Sequence, residues 1–244
     1  MKGRFISQAG LELQTLAEKN RARFDRGGVF AVNIVGGPGC GKTSLIRATL
    51  AGIDAGRRVG VLAADPNSQG DADLLAGCAA KVIQLVTGTR HWLDAAEVSD
   101  ALDELDLASL DLLLIENVSA LVGPTEFDLG ECKRVAVLSM ATGDDKVVRC
   151  SDVVRWADAV VLNKTDLLAS QPFSVELFRD RVRRINPQAA LFEMSTLNGD
   201  GLEPWLSWLR WESHHVGSGS DAQDAERSRA LERTPRQTKW RTRP

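Results

Sequence analysis

Histidine is scarce in this chain. There are three among 244 residues, with only His91 in the body and His214 and His215 side by side near the end. Whether His91 serves a metal or merely sits at a loop-to-helix junction therefore depends on what surrounds it. Cysteine is equally thin: Cys40, Cys78, Cys132 and Cys150 form no CxxC pair and no close-spaced cluster. That pattern argues for reduced thiols and against a disulfide framework. No apolar run reaches the ~18 residues that a membrane span requires, and MKGRFISQAG has no secretory apolar core. The expectation is a cytoplasmic protein with no membrane partner. A basic excess is also missing, since 30 Lys and Arg face 33 Asp and Glu for a net charge of −3. No nucleic-acid partner is expected from such a balance. No fixed-period repeat is present.

What is there is an alternation. Short aliphatic and β-branched runs recur at 30–35, 58–64, 81–86, 111–116, 134–140, 158–163 and 190–195. Nearly continuous apolar character suits strands buried on both faces of a parallel sheet. Helix-like stretches at 42–55, 94–105, 174–186 and 201–211 lie between them, and 6–26 reads as an amphipathic helix ahead of the first strand. This predicts an α/β fold, a mostly parallel sheet of about seven strands with helices on both faces. Residues 1–213 form one domain in this reading. From 214 to 244 the chain turns rich in Ser, Arg, Asp, Gln and Pro, with Arg233, Arg236, Lys239, Arg241 and Arg243 near its end. It reads as a disordered basic tail, either solvated or docked to an acidic partner.

The first strand runs into GGPGCGKTS: Gly36, Gly37, Pro38, Gly39, Cys40, Gly41, Lys42, Thr43 and Ser44. This fits G-x-x-x-x-G-K-[ST], and the spacing has a physical basis. Glycines let the loop wind so tightly that successive backbone N–H groups point at phosphate oxygens. Lys42 neutralises the β- and γ-phosphates, Thr43 ligates Mg²⁺, and the next helix presents its positive end. Cys40, inside this loop, is read either as a small packing residue or as a thiol whose pKa the loop N–H groups lower. A P-loop specifies phosphates, and the base is read elsewhere. The run DAVVLN enters NKTD, where the Asp166 carboxylate can accept the N1–H and N2–H₂ of guanine and would be left unpaired by adenine. Asn163 can meet another edge of the base and the Lys164 stem can lie along its face. Ser195 and Thr196 open the loop that closes over the guanine. The ligands are thus GTP and GDP with Mg²⁺. Asp65 and Glu116 end the runs VGVLAAD and DLLLIE, and both are candidates for Mg²⁺ or for the attacking water. Lys42, Asp65 and Glu116 make up the candidate catalytic set for a slow GTPase.

Five stretches, LAEKNRARFDRGGVFAVNIVGGPGCGKTSL, TGTRHWLDA, LIENVSALVGPTEFDLGECKRVAVLSMATGDDK, ADAVVLNKTDLL and INPQAALFEMSTLNGDGLEPWLSWL, cover roughly residues 15 to 211. Together they resemble the nickel-incorporation GTPases of hydrogenase maturation, the HypB type, which are kin to the urease accessory GTPases. The ENV-x-x-LV-x-P-x-x-FDLGE block is the most specific, since generic GTPases carry DxxG there. The resemblance implies a slow GTPase that forms a homodimer when GTP is bound. It also implies help in nickel delivery to a client metalloenzyme's large subunit or to a companion metallochaperone. It makes Glu116 and Asp65 the Mg²⁺ and hydrolysis residues and places dimer contacts in the 117–133 region. The chain departs from the family at the metal site. A Cys-His pair in TGxxCHLDA is here His91 and Trp92, and the Cys of ENVxxLVCP is Gly123. Indole has no free acceptor nitrogen and glycine has no side chain. A family Cys- or His-rich N-terminal nickel segment is absent from MKGRFISQAG. A His91/Cys132 pair across a dimer seam could hold nickel or zinc, or Cys132 is an inert thiol. The alternatives to a maturation GTPase with a lost metal site are a nucleotide-gated scaffold and a maturation GTPase for a different metalloenzyme. A P-loop small-molecule kinase is disfavoured by NKTD.

Overall fold

The computed structural model describes residues 8–65, 75, 79, 81–86, 92–117, 128–143, 147 and 150–215. Seven strands, β1 (Phe30–Gly36), β2 (Val59–Asp65), β3 (Lys81–Val86), β4 (Leu112–Glu116), β5 (Lys133–Ser139), β6 (Ala159–Asn163) and β7 (Ala190–Glu193), make one sheet. Their order is β3-β2-β4-β1-β5-β6-β7, and every pairing is parallel. Each strand falls within two residues of its apolar run. The helices among the described residues are α1 (Gln8–Gly27), α2 (Lys42–Gly52), α3 (Ala95–Asp103), α4 (Ser151–Arg155), α5 (Val175–Ile185) and α6 (Leu202–His215).

β1 shows why the strands read as unbroken apolar runs. All seven of its residues are buried, and alternate side chains enter opposite layers. Phe30, Val32 and Ile34 join Leu45, Ile46, Trp205, Leu206 and Leu209 beneath α2 and α6. Ala31 faces the layer of Phe24, Val98, Leu102 and Leu129 under α1 and α3. Val35 enters a third cluster with Val154, Phe178 and Val182 under α4 and α5. Trp205 is fully buried, and its indole N–H donates to Thr49 Oγ1 at 2.9 Å, joining α6 to α2. α6 continues to His215, beyond the compositional break at 213, and Glu212 near its end pairs with the buried Lys133 of β5 at 2.9 Å. Residues 216–244, the predicted basic tail, lie outside the described residues.

Between the α1/α3 and α4/α5 layers runs a polar seam. Glu131, 1% exposed, accepts from Asn33 Nδ2 at 3.3 Å, Arg134 Nε at 2.8 Å and the Leu129 amide at 2.8 Å. Buried charge is tolerated only with such partners. The segment 128–131 is also where α1 docks. Gly130 has φ +90°, and a Cβ there would lie 2.5 Å from the Ala17 carbonyl oxygen. Glycine alone lets the helix come this close.

Truncating the buried indole removes both packing and the Thr49 contact. Trp205→Ala is expected to lose about 3–5 kcal/mol of stability, read as a lowered urea midpoint with the slope of unfolding unchanged.

Candidate functional site

Parallel sheets gather their chemistry at the carboxyl ends of their strands, and β1, β4 and β6 bring theirs together. From β1 the chain turns through Gly36–Gly41 into α2, whose entry residue Gly41 has φ +96°. Gly36 packs so tightly on β5 that a Cβ would lie 2.4 Å from the Val137 oxygen. Lys42 is 9% exposed, and its ammonium donates to the carbonyls of Gly36 at 3.2 Å and Gly37 at 3.5 Å. That holds the cation over the loop where phosphate charge would collect. Pro38, Gly39 and Ser44 are exposed on the loop's outer side and the first turn of α2.

The end of β4 supplies the second part. Glu116 is 3% exposed and accepts from Thr43 Oγ1 at 2.8 Å. A hydroxyl and a carboxylate side by side at a helix N-terminus are hard oxygen donors of the kind Mg²⁺ selects. They fit the ion that the loop motif implies. Asp65 closes β2, two residues beyond Ala63, which is in register with Glu116. The backbone thus puts the two acids on adjacent strand ends, while the Asp65 side chain lies outside the described residues.

β6 delivers the base-reading set. Asn163 is fully buried, and its Nδ2 donates to the Cys40 carbonyl at 3.1 Å. Its Oδ1 accepts from the amides of Lys164 at 2.8 Å and Thr196 at 3.2 Å. Lys164 has φ +67° and donates through Nζ to Gly39 O at 2.7 Å, so its stem crosses from the NKTD turn to the phosphate loop. Asp166 is exposed, with Oδ1 held by the Ser195 hydroxyl at 2.5 Å. Ser195 is itself locked by its own amide, which donates to Asp200 O at 2.9 Å. A carboxylate oriented in this way can take two parallel N–H donors from one base edge.

For two cysteines the structure favours one of the two readings open in the sequence. Burial pushes the Cys40 thiol up, and the nearby Lys42 charge opposes this without overcoming it. The side chain is 4% exposed and belongs to the core beneath the loop. The loop N–H groups therefore do not make it a thiolate; it is a packing residue. Cys132 is at the wrong end of the sheet to serve the nucleotide. Its amide bonds Ala31 O, and its sulfur accepts from the Ala31 amide at 3.4 Å and donates to Val29 O at 3.9 Å. Burial pushes this thiol up to about 11, and its sulfur is held inward between the Ala31 amide and the Val29 carbonyl.

His91 and Gly123 lie outside the described residues. Trp92 is half-buried, and the next residue, Leu93, donates its amide to Asn117 Oδ1 at 3.0 Å. The TGTRHWLDA exit therefore meets the end of β4 at the level of Ile34, whose carbonyl takes the Asn117 amide. Cys132 sits three residues lower on β1 and across it, roughly 10 Å away along the strand alone. Among the described residues, no group of three or more His, Cys, Asp or Glu side chains could hold a metal ion. Of the 117–133 stretch, Leu129, Gly130 and Glu131 are buried against α1 and the seam within the chain, and 118–127 lies outside the described residues.

A family model described as CobW/HypB/UreG, nucleotide-binding domain, matches residues 30–193. The chain belongs to this family. Its HypB relatives include the hydrogenase maturation factor HypB of Azotobacter vinelandii, 39% identical over 217 residues, 88% of this chain and 71% of that one. The crystal structure of HypB from Archaeoglobus fulgidus superposes with a TM-score of 0.78 at 37% identity, covering 83% of this chain and 99% of that one. HypB from Helicobacter pylori, solved in complex with nickel, gives a TM-score of 0.80 at 27% identity over 85% and 98% of the two chains. The chain is thus a GTPase of the HypB group, with a seven-stranded all-parallel sheet. The motif residues Lys42, Thr43, Glu116, Asn163, Lys164, Asp166 and Ser195 stand together around the phosphate loop. Sequence reasoning missed Asn163's tie to Cys40 and Asn117's tie to Leu93, because neither has a local pattern.

Gly41 is the point where the phosphate and base halves touch. A Cβ there would lie 2.2 Å from Asn163 Nδ2, on a backbone at φ +96°. Gly41→Ala is expected to weaken GTP binding about 5- to 150-fold, the equivalent of 1–3 kcal/mol of strain, in a titration calorimeter, with the circular dichroism spectrum unchanged.

Proposed function

We propose that this protein is a GTP-binding, slowly GTP-hydrolysing maturation factor that assists nickel insertion into hydrogenase, with its own transition-metal site lost or altered. The observation that carries the reading is the convergence of Lys42, the Thr43–Glu116 pair and the Ser195-held Asp166 around one phosphate loop. Such an arrangement binds a guanine nucleotide end to end. Its HypB relatives supply the pathway.

In this reading Lys42 leaves the loop carbonyls for the β- and γ-phosphate oxygens as charge develops there. Thr43 and Glu116 hold Mg²⁺, which neutralises the phosphates when bound. Asp65, on the adjacent strand end, orients the attacking water. GTP binding favours a homodimer, and the dimer acts on the large subunit of the client or on a companion metallochaperone. Nickel is cargo handled by partners, because Trp92 and Gly123 bring no donor to positions where the family has ligands. The setting is cytoplasmic, and among the described residues no helix is long and apolar enough to cross a membrane.

Two outcomes are expected. Asp166→Asn exchanges an acceptor for a donor and should lower GTP affinity about 100-fold or more while improving binding of xanthosine triphosphate, since a pairing group left unmatched beneath a bound base discriminates strongly. Competition against a fluorescent guanine nucleotide measures both. Nickel titration of the full chain, alongside a His214→Ala/His215→Ala variant, should show no stoichiometric tight binding in either. Sub-micromolar stoichiometric nickel binding by that variant contradicts the loss of the site.

A further inference from the structure

α1 precedes the nucleotide domain's first strand and supplies none of the residues placed at GTP. It nevertheless carries a buried polar side chain whose hydrogen bonds all leave the helix. Asn20 is 0% exposed, and its Nδ2 donates to Ala95 O at 2.9 Å and Leu129 O at 3.1 Å. Those carbonyls belong to two turns distant in sequence. The first, 93–97, follows TGTRHWLDA and enters α3 through the Asp94–Glu97 capping box. The second, 128–131, closes the FDLGE stretch ahead of β5. Both hydrogens of one carboxamide are spent on joining them.

The position is not explained by packing alone. Asn20 Oδ1 has no hydrogen-bond partner among the described residues, so an apolar residue of similar size would fill the space without stranding an acceptor. What an apolar residue would lose is the two donated bonds. The helix is placed to make them by Gly130, where a Cβ would lie 2.8 Å from Asn20 Cβ. Arg21, one residue on, adds an ion pair to Asp128 at 2.6 Å.

The same 93–97 turn is tied to the nucleotide end. Asn117 is 6% exposed, directly follows Glu116, and accepts the Leu93 amide through Oδ1. A continuous path therefore runs from Thr43 and Glu116 through Asn117 to Leu93, and from Ala95 through Asn20 to Leu129. Carboxamide bonds inside a low-dielectric layer hold geometry firmly because the unpaired alternative is costly.

We infer that Asn20 is a positioning residue of the nucleotide response: it yokes the 93–97 turn to the 128–131 turn, so that a movement of Glu116 and Asn117 on binding Mg²⁺ and GTP reaches both together. The inference rests on the assignment of Glu116 to the Mg²⁺-nucleotide site. It makes α1 part of the switch rather than an outer brace.

Hydrogen exchange read by mass spectrometry on the full chain tests it, in nucleotide-free protein, with Mg²⁺ and GDP, and with Mg²⁺ and a non-hydrolysable GTP analogue. The turns report directly, because the amides of Leu93, Ala96 and Glu97 on one and of Leu129 and Gly130 on the other are bonded to side chains. In the wild type, both turns are expected to change protection together, by about fivefold or more, between diphosphate and triphosphate. Asn20→Ala keeps the change at 93–97 and loses it at 129–130. Arg21→Gln, which removes the ion pair to Asp128 and leaves the Asn20 bonds in place, keeps both. Wild-type turns that respond independently, an Asn20→Ala chain that responds as wild type, or an Arg21→Gln chain that uncouples equally, each overturns the inference. The wild-type arm decides even if Asn20→Ala does not fold. Guanine nucleotide binding with no response at either turn overturns the yoke alone, whereas no guanine nucleotide binding overturns the functional reading and the yoke with it.

Discussion

The structure of the nucleotide site depends on one buried carboxamide. Asn163 stands at the end of β6 with no exposed surface, donates to Cys40 O inside the phosphate loop, and accepts from the amide of Thr196 in the loop after β7. Its three hydrogen bonds hold three separate segments at a spacing fixed by the sheet, since β1, β5, β6 and β7 are consecutive neighbours. Gly41 keeps the space that Nδ2 needs. The Ser195–Asp166 contact and the Lys164–Gly39 contact then follow from the same placement, as both lie within three residues of groups that Asn163 already holds. Loss of that carboxamide would leave a buried carbonyl and two partly buried amides to find other partners.

The site was partly legible in the sequence because its parts obey local rules. A phosphate loop needs glycines at fixed spacing, and a guanine reader needs an acid just past a strand end, so Lys42, Thr43 and Asp166 could be named from short motifs. Inner strands such as β1, β4 and β6, buried on both faces, leave an unmistakable apolar run, and the partly buried edge strands β3 and β7 keep enough of it to appear as well. The order of those strands had no such mark. Neither did Asn20, Asn117 and Asn163, whose partners lie 75, 24 and 123 residues away; an asparagine in a sequence looks the same whether it faces water or a distant carbonyl. Cys40 carried two readings in the sequence. A local rule about loop N–H groups pointed to a lowered thiol pKa, and burial beneath the loop prevailed. Likewise Cys132 is close to the FDLGE block in sequence, yet its thiol turns inward at the foot of β1.

The turns at 93–97 and 128–131 form one hydrogen-bonded frame at the end of β4. Asp94 and Glu97 cap α3 reciprocally, Asn117 meets Leu93, and α1 spans both turns. Trp92, half-buried, enters this frame one residue ahead of Leu93.

The central claim is that Asn163 joins the phosphate half of the site to the base half. Binding of inorganic triphosphate, which has no base, to wild type and to Asn163→Ala tests it most directly. If Asn163 holds the phosphate loop, the variant loses affinity for this base-free ligand as well as for GTP, by about 5- to 150-fold for about one to three kcal/mol of lost hydrogen bonding. If Asn163 serves only the base, triphosphate binds the variant as tightly as the wild type while GTP affinity falls, and the account is contradicted.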